Sequence, residues 1–300
     1  MSGREKIDRI YQSARRIPID DFSKIVIMSD CHRGNGSHAD NFSKNQMVYF
    51  HALAQYYGDG FTYIELGDGD ELWEIKSMDD IKRAHTDVFW LLSKFYAEGR
   101  FHMLFGNHDI VKKSRRFAEK NLADYYDEHE KKRLPLFDKE AAAEGLVLDF
   151  TEAGGEILLL HGHQGTFIND RGWRLGRFLV RYLWKPLETI GVNDPTDPAK
   201  NMVESEHVSR MLADWTRCEK KLLVAGHTHK PVFPDAGQGR YFNDGSCVHP
   251  RCVTAIEITN GHIALVKWHV RAAFDSSLYI AKEVLAGPQG LRDYFRALKD

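Results

Sequence analysis

The 300-residue sequence predicts a mixed α/β fold, one large domain carrying an elaboration. Three observations carry that expectation. Short continuous apolar runs recur along the chain, as in strands buried on both faces. Stretches with helical periodicity separate the first three of them, the pattern of repeated β-α-β units. Late in the chain Asn260-Gly261 sits between two β-rich segments, the composition of a two-residue hairpin turn.

Taken in order, residues 1–22 mix charges throughout, lack the apolar centre of a secretory signal and read as an N-terminal helical segment. Strands are expected over Lys24 to Met28, Phe61 to Leu66 and Phe101 to Phe105, with helices over Asn45 to Tyr57 and Ile81 to Tyr96 between them. Further strands are expected over Glu156 to Leu160 and Lys220 to Ala225. Cys252 to Ile258 should pair antiparallel with His262 to Trp268. Residues 165–217 are helical in character and separate two strands that would otherwise follow each other, so they read as a cap inserted into a main domain of 23–273. Residues 274–300 read as a C-terminal helical tail, with a helix from Gly290 to Leu298.

Lys and Arg number 41 against 43 Asp and Glu, so no global field draws the chain towards nucleic acid, and none is expected as a partner. No run of about 18 apolar residues occurs, which excludes a membrane-spanning helix of ordinary length but leaves peripheral membrane contact open. Cys31, Cys218, Cys247 and Cys252 have no paired spacing; they suit a reducing compartment and read as small buried side chains. The expected location is cytoplasmic, with a peripheral position at the inner membrane surface as an extension of it.

The chemistry sits where the apolar runs stop. Asp30-Cys31-His32, Gly67-Asp68, Gly106-Asn107-His108-Asp109, His161-Gly162-His163 and Gly226-His227-Thr228-His229 each follow one run, where open α/β sheets place their ligands. A single such cluster would be an ordinary strand-end cap. Five in succession are a constellation.

In this order the clusters DxH, GD, GNHD, HG and GHTH resemble the signature of the calcineurin-like metallophosphoesterases, over about Ile25 to His229. The resemblance implies a four-layer αββα sandwich with a helical cap insertion and a binuclear metal site. It implies that Asp30, His32 and His229 hold one metal, Asn107, His161 and His227 the other, and that Asp68 bridges both. His108 would face the substrate, to stabilise the transition state or protonate the leaving oxygen, and Asp109 would orient its ring. His163 is the alternative to His161, which directly follows its strand.

The donor chemistry agrees. Imidazole, carboxylate and amide oxygen together suit borderline divalent ions, Mn²⁺ first and Zn²⁺ or iron next, over Ca²⁺ or Mg²⁺. Two such ions about 3.5–4 Å apart share one water and lower its pKa towards neutrality, which makes a bridging hydroxide the expected nucleophile.

Gly67-Asp68-Gly69-Asp70-Glu71-Leu72-Trp73 lacks the arginine that follows GDxxD in Ser/Thr protein phosphatases, and Asp109 stands where those enzymes carry Glu. An acidic residue and then Trp after GD is similar instead to the UDP-2,3-diacylglucosamine hydrolases, which also insert a helical cap. The expected substrate is a phosphorylated small molecule or a lipid-linked one, cleaved at a phosphodiester or pyrophosphate bond. A phosphomonoesterase or a nuclease is the alternative, and a non-catalytic scaffold is disfavoured because all seven ligand positions carry competent residues. Oligomeric state is left open.

Substrate contacts are expected from Arg33 and Asn35 after the first cluster and from His249 and Arg251 after the last, arginine being suited to bidentate phosphate binding. In the cap, Arg171, Arg174, Arg177, Arg181 and Lys185 fall within a helical arc of roughly 120°. Arg174 and Arg181 are the expected anion contacts of that basic face, which either overlies the metals or meets lipid headgroups.

Overall fold

The computed structural model describes residues 3–37, 40–128, 130–137, 141–164 and 202–298. The chain opens with helix α1 (Gly3–Ser13) and strand β1 (Arg15–Pro18), then runs β2 (Ile25–Met28), α2 (Gln46–Gly58), β3 (Thr62–Leu66), α3 (Met78–Ala84), α4 (Thr86–Ala97) and β4 (Phe101–Leu104). Helix α5 (Arg115–Asn121) and a small ribbon of β5 (Asp124–Asp127) and β6 (Lys132–Pro135) follow. Next come β7 (Gly145–Phe150), β8 (Gly155–Leu160), α6 (Met202–Glu219), β9 (Leu222–Ala225) and β10 (Tyr241–Asn243). The described chain closes with β11 (Cys252–Thr259), β12 (His262–Ala272), β13 (Leu278–Gly290) and α7 (Leu291–Ala297).

The strands form two main sheets, ordered β13-β12-β11-β2-β3-β4 and β1-β7-β8-β9-β10. Their layering follows from side-chain alternation. Ile25 and Ile27 of β2 enter a cluster between the sheets with Leu146, Leu148, Ile157, Leu159, Leu222 and Val224. Their neighbours Val26 and Met28 point the other way, against Val48 and Leu53 of α2 and Val88 and Leu92 of α4. On the second sheet Val147, Leu158, Leu160, Leu223 and Ala225 face Ile7 of α1 and Val208, Leu212 and Trp215 of α6. Helix, sheet, sheet, helix is therefore the order of layers. Both faces of these strands are buried, which is why they read as continuous apolar runs rather than alternating ones.

Several boundaries differ from the sequence expectation. Residues 1–22 hold β1 as well as a helix; β1 pairs in parallel with β7 from Arg15↔Leu146 to Pro18↔Asp149. The helix expected over Ile81 to Tyr96 breaks at His85, whose ring is bonded to Asp40 at 2.8 Å and to Gln46 at 3.0 Å. Residues 202–217, expected within the cap, lie in α6 and pack as an outer layer of the sandwich. In the expected helical tail, Leu278–Gly290 is the edge strand β13 paired with β12, and among the described residues only α7 is helical. Of the cysteines expected to be buried, Cys218 is exposed and Cys252 half-buried.

The hairpin matches its expectation closely: Thr259 faces His262, and Asn260 and Gly261 between them have φ of 51° and 69°, as a type I′ turn requires. Among the described residues no helix is long and apolar enough to cross a membrane.

Candidate metal centre

The parallel strands β2, β3 and β4 end together, and the loops that follow them meet those after β8 and β9. Asp30, His32, Asp68, His227 and His229 all adopt positive φ, between 47° and 67°. A non-glycine residue there is strained by about 1–3 kcal/mol and persists only where its surroundings dictate it. Here the strand-end turns reverse the backbone within one residue and aim five side chains at one volume.

Each carboxylate spends one oxygen on the scaffold. Asp30 Oδ2 accepts the Ser29 hydroxyl at 2.6 Å and the His227 backbone N–H at 2.8 Å, leaving Oδ1 at 3.1 Å from His229 Nε2 and 3.7 Å from His32 Nε2. Asp68 Oδ1 accepts the His108 backbone N–H at 2.7 Å, leaving Oδ2 at 3.1 Å from His161 Nε2 and 3.9 Å from His32 Nε2. The imidazoles are fixed the same way: His161 Nδ1 is 2.9 Å from the Leu66 carbonyl oxygen and so donates to it, which turns the Nε2 lone pair inwards.

Among the described residues three ligand-capable groups result: Asp30 with His32 and His229, Asp68 with His161 and His227, and, at the rim, His32 with Glu71 and His108. Asn107 is buried on the same loop as His108, whose backbone N–H meets Asp68. His163 is buried beside His161, with ring centroids 5.5 Å apart, and it belongs to none of the three groups.

The fit to divalent cations can be judged from unsatisfied atoms. Asp30 Oδ1, His32 Nε2, His161 Nε2, His227 Nε2 and both amide atoms of Asn107 are buried without a hydrogen-bond partner. Such atoms cost about 1–3 kcal/mol each when nothing meets them. Imidazole and carboxylate donors meeting within these groups fit divalent cations.

The electrostatics respond to this crowding. Burial opposes the charged form of His161, but the Asp68 and Asp30 charges push it up to about 9. Burial and then His161 hold His227 down to about 3. Glycine permits the approach: a Cβ on Gly106 would stand 2.1 Å from Asp68 Oδ1, and one on Gly67, whose φ is 92°, would stand 2.7 Å from the His161 ring.

With that geometry in view, the pattern of the calcineurin-like phosphoesterases matches residues 23–231. The chain belongs to this family. It is accordingly a hydrolase of phosphoester bonds. No curated protein matches the chain. Among solved structures, Vps29 of Chaetomium thermophilum is similar at 11% identity and a TM-score of 0.39, over 89% of this chain and 97% of that one.

Away from the expected metal ligands this phosphoesterase departs from the sequence expectation. Asp109 does not orient His108. Its Oδ1 accepts the Gly106 N–H at 2.7 Å, its Oδ2 accepts the Gly69 N–H at 3.1 Å, and Lys112 Nζ lies 2.7 Å from Oδ2. Asp109 thus ties the loops after β3 and β4 together. His108 Nδ1 is held instead by Glu71, at 2.9 Å from Oε1, and the same carboxylate lies 3.0 Å from His32 Nδ1. The indole of Trp73 stacks on the His108 ring, centroids 4.6 Å apart at 20°. Burial opposes a charge on His108, and Glu71 and Asp68 raise its pKa against it. His32, His108 and His229 are the partly exposed members and form the rim of the site.

Arg33 is not available to substrate. It is buried, donating from Nε to Asp70 at 2.7 Å and from its terminal nitrogens to Glu65 at 2.7 and 3.0 Å. Lys112 Nζ completes this buried network, 2.6 Å from Asp70 Oδ2. Glu65 lies in the otherwise apolar buried strand β3, and an acid in such a strand calls for a buried cation; that was the available signal.

Asn35 is exposed, and its Oδ1 accepts the Ser37 N–H at 3.3 Å. His249 is half-buried; burial and then the nearby His229 lower its pKa. Arg251 is exposed on the same turn. Arg174 and Arg181 lie outside the described residues.

Proposed function

We propose that this phosphoesterase is a binuclear metal-dependent phosphohydrolase cleaving a phosphodiester or pyrophosphate bond in a nucleotide- or lipid-linked substrate. The observation that carries the reading is the set of buried, unsatisfied atoms of Asp30, His32, His161 and His227 within the ligand-capable groups, with those of Asn107 on a neighbouring loop. Asp30, His32 and His229 would hold one cation, Asn107, His161 and His227 the second, and Asp68 both. When bound, divalent cations such as Mn²⁺, Zn²⁺ or iron supply charge to the nonbridging phosphate oxygens and activate water.

The protein's own part is orientation and proton delivery. Glu71 holds Nδ1 of His108, and Trp73 covers one face of its ring, so Nε2 is left to give a proton to the leaving oxygen. Glu71 also fixes His32, which couples the acid to a metal ligand through one carboxylate.

Two features favour a diester or pyrophosphate over a monoester. No arginine follows Gly67-Asp68-Gly69-Asp70-Glu71. Arg33 and Lys112 are committed to Glu65, Asp70 and Asp109, so they do not meet the second charge of a monoester dianion. Trp73 after the second cluster is similar to the pattern of UDP-2,3-diacylglucosamine hydrolases, and a sugar-nucleotide diphosphate is the first substrate class to try.

The test is hydrolysis of bis-p-nitrophenyl phosphate, p-nitrophenyl phosphate and a UDP-sugar in parallel with Mn²⁺. Faster turnover of the diester or the UDP-sugar supports the proposal. Preference for the monoester makes the enzyme a phosphatase and removes the diphosphate reading.

A further inference from the structure

The β12–β13 ribbon carries a surface that the reaction does not use. Pairing of β11 with β12 ends where Cys252 faces His269. Beyond that point Val270, Arg271 and Ala272 continue opposite Ile280, Tyr279 and Leu278, with no third strand beside them among the described residues. Because β11 runs antiparallel to β2, this overhang lies at the end of the sheet where β2 delivers Asp30.

Its side chains are not those of a solvated hairpin. Phe274 in the turn is fully exposed, and Leu278 is 73% exposed. Alternation puts Val270, Ala272, Leu278 and Ile280 on the face of Trp268, which lower down is covered by α2, with the His51 ring 5.9 Å from the indole. One helical turn before His51, Met47 is 69% exposed and extends the same stripe towards the catalytic end. An exposed apolar patch of this kind marks a contact surface.

Cations frame it. Arg271 in the overhang, Arg251 before β11 and Lys44 before α2 are all exposed. Asn45 locks these pieces together, donating from Nδ2 to the carbonyls of Cys247 at 2.9 Å, His249 at 2.6 Å and Cys252 at 3.0 Å. Asp275 is the one acidic residue between 270 and 279.

We propose that this end of the molecule docks on an anionic lipid bilayer, with Phe274 and Leu278 entering the headgroup layer and Lys44, Arg251 and Arg271 meeting lipid phosphates. The charge pattern selects this occupant: apolar tips ringed by cations match a surface of negative charge over hydrocarbon. Docking in this way turns the rim of the metal centre towards the membrane. It is independent of which phosphoester is cleaved.

The test is sedimentation of the full chain with vesicles of phosphatidylglycerol and phosphatidylcholine, against phosphatidylcholine alone. The expected result is binding to the anionic vesicles only, weakened by salt. Binding should fall about tenfold or more in Lys44→Glu/Arg271→Glu and in Phe274→Ser/Leu278→Ser, while melting temperature and hydrolysis of a soluble aryl phosphate stay unchanged. Phe274→Ser alone alters a fully exposed side chain and serves should the double variant fold poorly. Wild-type protein left in the supernatant, or variants that bind as well as wild type, overturn the proposal. So does a concentration-dependent dimer that these substitutions dissolve without any vesicle binding, which would assign the patch to a second copy of the chain.

Discussion

Oε1 of Glu71 lies 2.9 Å from Nδ1 of His108, and Oε2 of the same carboxylate lies 3.0 Å from Nδ1 of His32. One buried acid therefore sets the ring orientation of both an expected rim ligand and the expected proton donor. Glu71→Gln keeps the shape but offers one acceptor oxygen instead of two. Its kcat should fall about 10²-fold or more with KM little changed, since a positioned acid contributes about 10²–10⁴-fold. Steady-state kinetics on a diester with an alkyl leaving group measure this, and an unchanged kcat would remove Glu71 from the machinery.

His108→Gln should be sensitive to the leaving group. Alkyl esters need protonation as they depart and should lose about 10²–10⁴-fold in kcat, whereas p-nitrophenolate departs unaided and should lose much less. Equal losses across a leaving-group series would mean that His108 acts on the phosphoryl charge and not as an acid.

Arg33→Met should act on stability. It leaves Glu65 and Asp70 buried beside Lys112 alone, and breaking a buried ion pair in this way costs about 3–5 kcal/mol. Urea unfolding should show that loss. A raised KM at unchanged stability would restore Arg33 to substrate binding.

Glu156 provides a pH signature away from the site. Burial opposes its charge, but hydrogen bonds from Lys221, Tyr11 and Arg16 lower its pKa from the ordinary 4.5 to about 2. A carboxylate depressed on folding contributes stability that is fully present above its unfolded pKa and is lost as pH falls towards its folded one. The gap in urea midpoint between wild type and Glu156→Gln should be constant from pH 6 to pH 8 and close between about pH 4.5 and pH 2. A gap that persists at the acid end would contradict the assignment.

The residues that meet in the ligand-capable groups were legible because their clusters follow buried apolar runs, so sequence adjacency to a strand end stands in for position in space. The hairpin was legible for a similar reason, since Asn260-Gly261 favours positive φ at both turn residues. Roles that depend on which atoms meet were not. Asp109 is next to His108 in sequence, yet the ring is held by Glu71 from another loop, and Asp109 turns back to the amides of Gly69 and Gly106. Arg33 beside a metal motif looks like a phosphate ligand, and only the register of β3, which buries Glu65 beneath it, shows where its charge goes. Strand β1 is short and largely exposed, with two arginines, and its pairing with β7 is a long-range contact that no local pattern encodes.

The two-metal account is tested most directly by Mn²⁺ content and bis-p-nitrophenyl phosphate hydrolysis measured on the same samples of wild type and Asp68→Asn. The account predicts about two ions per chain and turnover for wild type, with loss of bound metal and a fall in kcat of about 10³-fold or more for the variant at an unchanged melting profile of the metal-free proteins. Near-normal hydrolysis by Asp68→Asn, or wild-type turnover with one ion per chain, would contradict it.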